Sequence, residues 1–193
     1  MLKFKKKIPY GLHHINYKDI KAVNKVLKSN FLTQGDQVPK FEKNLNLKFG
    51  SKYATVTNSA TSALHISCLA LGLKKGDYLW TSAISFVASS NCGLYCGSKI
   101  DFLDINRITN NIDIDYLKKK LKIAKIKKKL PKIIILVHLA GAPCELEQIK
   151  KLAKIYKFKI IEDASHAAGS IYKDNLIGNC KYSDITVFSF HPV

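Results

Sequence analysis

The chain has 193 residues, of which 47% are hydrophobic, so it is long enough to bury one good core and has the composition of a soluble globular protein. Its formal charge of +18 comes from 32 basic and 14 acidic residues. Arg107 is the only arginine, whereas proteins that read nucleic acid depend on arginine for bidentate contacts. We therefore interpret the lysines as a solvated surface that favours an anionic small-molecule substrate, and we predict no nucleic-acid partner.

The sequence contains no predicted membrane span or export signal. Its longest apolar run, residues 133–139, is interrupted by His138 and is far shorter than the ~20 residues that a transmembrane helix needs. The basic N-terminus leads into Pro9-Tyr10-Gly11 and not into an apolar segment, so we predict no secretory signal. We therefore expect a cytoplasmic protein without a membrane partner.

The cysteine and histidine pattern indicates neither a disulfide framework nor a zinc site. The five cysteines follow no such spacing and lie at Cys68, Cys92, Cys96, Cys144 and Cys180. An odd number of cysteines without this spacing indicates a reducing cytosol. His13-His14 has no cysteine or carboxylate cluster beside it, so a surface turn is favoured and no metal site is predicted.

Apolar residues that recur every three or four positions predict helices, and short apolar runs predict strands. The predicted helices are residues 17–29, a second helix through residues 41–49 that Gly50 closes, and residues 59–71, 86–95, 113–126 and 145–156. The predicted strands are residues 53–57, 78–82, 99–103, 132–139, 158–162 and 185–190. Strands that alternate with helices imply crossover connections, so we predict an α/β fold with a mostly parallel sheet covered by helices on both faces.

The first candidate site is the turn where the predicted strand 53–57 meets the following helix. Free N–H groups at a helix N-terminus bind phosphate well, and Ser59, Thr61 and Ser62 would add hydroxyl donors. Ordinary capping by Asn58 or Ser59 explains the same residues without a ligand. Taken alone, the motif favours capping.

The second candidate site follows the apolar strand that ends near Glu162. Asp163 stands at its carboxyl end, where open α/β sheets place ligands, and a carboxylate there can hold a pyridine nitrogen protonated. His166 follows three residues later, within reach of the same ligand. The alternatives are a helix N-cap for Asp163 and a satisfied, partly buried histidine for His166, whereas Glu162 faces the other side and is interpreted as structural.

Two further residues stand at strand ends. Phe86 follows the strand 78–82, where an aromatic ring can stack on a flat heteroaromatic ring, although core packing is the commoner role of phenylalanine. Ser189 lies at the end of the last strand and could add a phosphate contact. Because carboxyl ends of parallel strands meet at one edge, all four candidate sites are expected at the same edge of the sheet.

In this order the motifs resemble the DegT/DnrJ/EryC1/StrS family of nucleotide-sugar aminotransferases, which use pyridoxal 5'-phosphate (PLP). The resemblance spans nearly the whole chain. The segments that carry it are Phe31-Leu32-Thr33-Gln34-Gly35, Asn58-Ser59-Ala60-Thr61-Ser62-Ala63-Leu64, His138-Leu139-Ala140-Gly141-Ala142-Pro143, Glu162-Asp163-Ala164-Ser165-His166-Ala167, and residues 81–91 and 183–192.

The resemblance implies PLP as the cofactor and lends roles to matching positions. Ala60 and Thr61, with Ser189, would hold the cofactor phosphate. Phe86 would stack on the cofactor ring, and Asp163 would pair with its nitrogen.

Three further implications concern the ring hydroxyl, the substrate and the domains. His166 would lie near the ring hydroxyl, and Thr33, Gln34 and Gly35 would approach the substrate. The fold implied is the large domain of PLP-dependent transferases of fold type I. Residues 1–50 would form an N-terminal helical segment with the substrate-side loop, and residues 51–193 an incomplete PLP-binding domain without the small C-terminal domain.

The final segment, Ser189-Phe190-His191-Pro192-Val193, resembles Ser-Phe-His-x-x-Lys of this family, in which the lysine forms the Schiff base with PLP. That lysine would fall just after Val193, so we expect the large domain to be truncated before it and the chain to be inactive and poorly stable alone. The strand 53–57 would also lack its sheet neighbour.

The implied reaction transfers an amino group, with glutamate as the donor, to C4 of a UDP-linked 4-keto-6-deoxy sugar, in a homodimer. Two alternatives stay open. One is a nucleotide-sugar dehydratase or ketoisomerase of the same family, and the other is a non-catalytic partner half of a split enzyme.

Overall fold

The computed structural model describes residues 11–191, so the basic N-terminal stretch, Pro192 and Val193 lie outside the described residues. The helices are α1 (Tyr17–Leu27), α2 (Gln37–Phe49), α3 (Ala60–Ala70), α4 (Ala88–Tyr95), α5 (Ile114–Ile126) and α6 (Leu146–Tyr156). The strands are β1 (Tyr78–Ser82), β2 (Lys99–Leu103), β3 (Ile133–Val137), β4 (Lys159–Asp163), β5 (Ile171–Tyr172), β6 (Asn175–Leu176) and β7 (Ile185–Val187). All six predicted helices, and five of the six predicted strands, are confirmed with small shifts at their ends.

Five strands form one parallel sheet in the order β2-β1-β3-β4-β7. In this register Val137 of β3 pairs with Asp163 of β4, and Asp163 pairs with Val187 of β7. The carboxyl ends of β3, β4 and β7 therefore lie side by side at one edge of the sheet. The predicted α/β class with a mostly parallel sheet is confirmed.

The core lies on both faces of the sheet, because the central strand β3 is buried along its whole length. Ile134 and Leu136 pack on the side that α5 and α6 cover, whereas Ile133 and Ile135 pack on the side of α3 and α4. This two-sided burial explains why β3 has a continuous apolar sequence without polar alternation.

The strand predicted at residues 53–57 is wrong. This segment joins no strand ladder within the described residues, and the Val56 N–H donates to Glu42 Oε1 of α2 at 2.9 Å. Residues of this type form a strand only where a neighbouring strand supplies hydrogen bonds to the backbone. Among residues 11–191 no such neighbour is present, and β7 pairs on one side only, with β4.

Two elements were not predicted from the sequence, because they are too short to show an apolar period. The first is the β5–β6 hairpin, and the second is a 3-10 turn over Leu139–Gly141 that follows β3. None of the helices in the described part of the chain is both long and apolar enough to cross a membrane.

Candidate functional site

Asp163, the last residue of β4, lies at the carboxyl edge of the sheet with only 5% of its surface exposed. The Ser89 hydroxyl donates to its Oδ2 at 2.7 Å, and the Ser165 hydroxyl donates to its Oδ1 at 2.6 Å. Hydrogen bonds of this kind compensate a buried carboxylate for the water it has lost. The strand thus presents a fixed acidic group at the edge where parallel sheets bind ligands.

Ser89 was not singled out by the sequence analysis, although it lies within the family-like segment 81–91. It is fully buried in the first turn of α4, and Ser85 lies 2.8 Å from it, hydroxyl to hydroxyl. Because α4 begins a few residues after β1 ends, Ser85 and Ser89 lie at the carboxyl edge of the sheet, next to Asp163. The contact joins residues 74 positions apart, and no local pattern signals it.

The N-terminus of α3 forms the second part of the site. The Ser59 hydroxyl accepts from the Ser62 N–H at 3.2 Å and caps the helix, which confirms the capping interpretation. Within residues 11–191, the N–H groups of Ala60 and Thr61 have no hydrogen-bond acceptor. Capping and an anion site are therefore compatible here, because two amides at the positive end of the helix dipole remain free.

Helix α3 packs on the same face of the sheet as α4. Leu64 of α3 shares a buried cluster with Ile161 of β4 and Val187 of β7, and half-buried Ala60 packs against this cluster. The packing brings the start of α3 to the carboxyl ends of β4 and β7. The free amides and Asp163 thus belong to one region of the molecule.

Phe86 lies just before α4 with 73% of its surface exposed, so it does not pack in the core. Ser189 follows β7 by two residues and is half-buried, and its Oγ accepts from the His191 N–H at 3.2 Å. An exposed aromatic ring leaves its face open for stacking.

His166 is exposed and lies on the loop after β4, where its Nδ1 accepts a hydrogen bond from the Ala140 N–H at 3.3 Å. Its neighbour in the motif, Glu162, is directed away from Asp163 and pairs with buried His138 at 2.8 Å (Oε2 to Nε2). The structural role predicted for Glu162 agrees with its burial and its pairing with His138.

The loop of residues 33–35, which the resemblance predicts to approach the substrate, makes no hydrogen bond to the residues around Asp163 that the structure describes. Thr33 and Gln34 are exposed. The following helix α2 contacts the segment after β7, because the ring of Phe41 meets that of Phe190 edge-on with centroids 5.4 Å apart.

Among the described residues, no lysine forms a hydrogen bond or an ion pair with Asp163, whose partners are Ser89 and Ser165. Lys159 lies at the opposite, amino end of β4 and pairs with Asp184 at 2.9 Å. Lys173 lies on the β5–β6 turn and pairs with Glu147. Both side chains are exposed.

The residues present fit a group that carries both a phosphate and a ring nitrogen. Two free amides offer an anion site, a buried carboxylate suits a protonated nitrogen, and an exposed aromatic ring suits stacking on a flat heterocycle. Within the described part of the chain, no group of three or more histidine, cysteine, aspartate or glutamate residues has the arrangement of a metal site.

Several known proteins that resemble this chain in sequence and fold are named as sugar aminotransferases or transaminases. A transaminase of Campylobacter jejuni subsp. jejuni serotype O:23/36 (strain 81-176), UDP-4-amino-4,6-dideoxy-N-acetyl-beta-L-altrosamine transaminase, is 40% identical over 186 residues, which are 96% of this chain and 48% of the relative. The solved structure of Helicobacter pylori PseC, an aminotransferase involved in the biosynthesis of pseudoaminic acid, matches with a TM-score of 0.84 at 34% identity, over 97% of this chain and 49% of that one.

A putative sugar aminotransferase of Streptococcus pneumoniae, Spr1654, also matches in its PLP form, with a TM-score of 0.86 at 28% identity over 97% of this chain and 50% of that one. It is also known in a PMP form, so PLP is indicated as the cofactor of this fold family. The chain spans about half the length of the curated relatives it matches.

The family model for the DegT/DnrJ/EryC1/StrS aminotransferases matches residues 13–193, almost the entire sequence. Together with the parallel sheet and the acid at the end of β4, this match identifies the chain as a member of the DegT/DnrJ/EryC1/StrS aminotransferase family.

Proposed function

We propose that this chain supplies the cofactor-binding part of a PLP-dependent aminotransferase that acts on a nucleotide sugar. The observation that carries the proposal is the buried Asp163 carboxylate, which two serine hydroxyls hold at the carboxyl edge of the sheet. A carboxylate fixed in this way favours the protonated form of a pyridine nitrogen. When bound, PLP supplies an electron sink for reactions at an amine-bearing carbon.

In this proposal each residue of the site binds or orients. The free N–H groups of Ala60 and Thr61, with the Ser189 hydroxyl, hold the phosphate. Phe86 stacks on the ring, and Asp163 keeps the ring nitrogen protonated. The site thus fixes both ends and one face of a flat, anionic ligand.

Three residues of the proposal face the substrate side. Thr33, Gln34 and Gly35 are expected to approach the sugar when the substrate is bound, because this loop leads into α2, which contacts the segment after β7 through Phe41. The lysine that binds the cofactor covalently is expected outside the described residues, so we expect the chain alone to bind the cofactor without turnover.

The substrate class rests on the relatives. We infer a UDP-linked 4-keto-6-deoxy sugar that is aminated at C4, with glutamate as the amino donor, because the Campylobacter relative is named for a 4-amino-4,6-dideoxy UDP-sugar. The Helicobacter relative acts in the biosynthesis of pseudoaminic acid, which favours that pathway here. We expect the enzyme to work as a homodimer.

We also propose a reducing, cytoplasmic location. Cys68 and Cys92 are fully buried between α3 and α4 with their sulfur atoms 3.7 Å apart, and both are free thiols. The hydrogen bond to Cys92 and burial raise the pKa of the Cys68 thiol, so the reactive thiolate is scarce.

Binding of pyridoxamine 5'-phosphate tests the proposed site. This amine form of the cofactor has no aldehyde, so it does not react with the many surface lysines. We expect saturable binding by the 193-residue chain in calorimetric titration, and we expect Asp163→Asn to weaken it by about tenfold or more, because a hydrogen bond to a charged group contributes about 1.5–3 kcal/mol.

The matched control is Asp174→Asn. Asp174 is exposed on the β5–β6 turn with a φ of 62°, a left-handed conformation that asparagine also adopts well. Asp174→Asn should leave the affinity for pyridoxamine 5'-phosphate unchanged. Equal affinities of the wild-type chain and a folded Asp163→Asn variant would refute the proposed role of the acid.

A further inference from the structure

The 3-10 turn Leu139–Gly141 makes a hydrogen bond to the imidazole of His166. The Ala140 N–H donates to Nδ1 of His166 at 3.3 Å. A neutral imidazole carries one proton, and a nitrogen that accepts a hydrogen bond is not the one that carries it. Neutral His166 therefore holds its proton on Nε2, so the ring nitrogen left for a ligand is a donor.

The turn itself is clamped by Asn111, which has only 5% of its surface exposed on the loop between β2 and α5. The Leu139 N–H donates to Asn111 Oδ1 at 3.3 Å, and Asn111 Nδ2 donates to the Ala142 carbonyl at 2.9 Å. One side chain thus bonds the chain on both sides of Ala140. Such a clamp is needed because Ala140 has a φ of 52°, in the left-handed region that residues with a side chain seldom adopt.

The other contacts of the turn bring it close to the His166 loop. Buried His138 precedes it, accepts from the Cys144 N–H at 3.1 Å through Nδ1, and pairs with Glu162 through Nε2. Gly141 has a φ of 83°, and a Cβ atom there would lie 3.0 Å from the His166 carbonyl oxygen. The close approach that places the Ala140 N–H on the imidazole therefore depends on glycine at this position.

We propose that Asn111 is a positioning residue for the cofactor site, because by clamping the turn Leu139–Gly141 it keeps the Ala140 N–H on Nδ1 of His166 and so makes His166 a hydrogen-bond donor through Nε2. The ligand group that this donor suits is an anionic oxygen, such as the ring oxygen of the cofactor. The inference rests on the proposed function for the identity of that ligand, but the Asn111–Ala140–His166 geometry is independent of it.

The first test needs no cofactor. In the nitrogen-15-labelled chain at about pH 8.5, ring nitrogen shifts report whether each imidazole nitrogen carries a proton. Comparison with His166→Gln assigns the signals of His166. We expect Nδ1 of His166 to be unprotonated, with a coupling across its hydrogen bond to the Ala140 amide, and we expect Asn111→Ala to abolish that coupling.

Two further variants keep this test decisive. Gly141→Ala should displace the turn from His166 and abolish the same coupling while Asn111 stays intact, so it tests separately whether the place of the turn decides which nitrogen of His166 carries the proton. Asn24→Ala, on the exposed face of α1, is the matched control and should leave the coupling unchanged. A protonated Nδ1 in the wild-type chain, or an unchanged coupling in folded Asn111→Ala, would overturn the inference.

The second test is a double-mutant cycle on the affinity for pyridoxamine 5'-phosphate. Asn111→Ala should weaken binding about threefold to tenfold, and it should have no further effect in a His166→Ala background, because Asn111 acts through His166. A purely structural role of Asn111 would give the same loss in both backgrounds and would contradict the inference. If the wild-type chain binds no cofactor, the proposed function fails, whereas the ring nitrogen measurement still decides the role of Asn111.

Discussion

Both oxygens of Asp163 accept hydrogen bonds from serine hydroxyls, and this pairing keeps a carboxylate stable at the buried edge of the sheet. Ser165 is a local partner two residues away, but Ser89 comes from α4. The site thus depends on a contact between two crossover units. An acid held from two sides has little freedom to turn away from a ligand, which suits a group that must stay aligned with one ring nitrogen.

Replacement of Ser89 by alanine should therefore destabilise the chain itself. We expect Ser89→Ala to lower the free energy of unfolding by about 1.5–3 kcal/mol, because one oxygen of a buried carboxylate loses its donor. Urea denaturation measures this difference. Ser90→Ala is the control, because the Ser90 hydroxyl donates only to the Val87 carbonyl at the exposed side, and it should change stability by less than about 0.5 kcal/mol. A stability of Ser89→Ala within the range of that control would argue against the contact.

Among the single residues of the site, the sequence indicated Asp163, the turn at residues 58–62 and Phe86, because each follows the end of an apolar run. It did not indicate Ser89 or Asn111. Ser89 meets Asp163 across 74 positions and Asn111 meets the turn after β3 across 28, so their partners are set by strand order and not by neighbouring residues.

Among the elements, helix α6 and the β5–β6 hairpin are joined through one glutamate. Glu147 in the first turn of α6 forms ion pairs with Lys173 of the hairpin turn and with Lys151 one turn along the helix. The hydrogen bonds from Lys173 and Lys151 lower the pKa of Glu147 to about 2. The hairpin turn carries positive φ angles at Lys173 and Asp174, as two-residue hairpin turns require.

This pKa predicts the direction of a pH effect. The carboxyl of Glu147 has a lower pKa in the folded chain than its ordinary value of 4.5, so its contribution is present above about pH 4.5 and is lost as the pH falls towards about 2. Glu147→Gln should flatten the fall in stability over this interval in thermal melts. The effect should shrink at high salt, because the pair is exposed.

Glu145→Gln is the control for this prediction, because Glu145 lies beside Glu147 but forms no ion pair with lysine among the described residues. It should keep the pH dependence of the wild-type chain. The same slope in Glu147→Gln and in the wild-type chain would show that the pair does not link α6 to the hairpin.

For the molecule as a whole, the formal charge of +18 opposes folding through repulsion between lysines. Raising the salt concentration from about 10 mM to about 150 mM shortens the Debye length from about 30 Å to about 8 Å. We expect the melting temperature to rise over this range, by about 2–4 °C for each kcal/mol of repulsion that is screened. Calorimetry at the two concentrations measures it.

A triple variant separates this charge effect from other effects of salt. Lys119, Lys122 and Lys125 are exposed on α5 and form no ion pairs within the described residues, so their replacement by glutamine should raise the melting temperature at low salt and reduce its salt dependence. The corresponding arginine variant keeps the charge and should behave like the wild type. A salt dependence equal in the glutamine and arginine variants would contradict the repulsion argument.

Local properties of the chain were sufficient to determine its helices and parallel strands, because apolar periodicity, capping residues and glycine positions act over a few residues. The family followed from the motifs at the strand ends, and the comparisons confirm it. The tertiary structure alone decided the strand order, the approach of Ser89 to Asp163, and the clamp of Asn111 on the turn after β3. These features depend on which segments meet in space, since a strand needs a neighbour and a buried carboxylate needs donors, and neither requirement is visible in the sequence around the residue that has it.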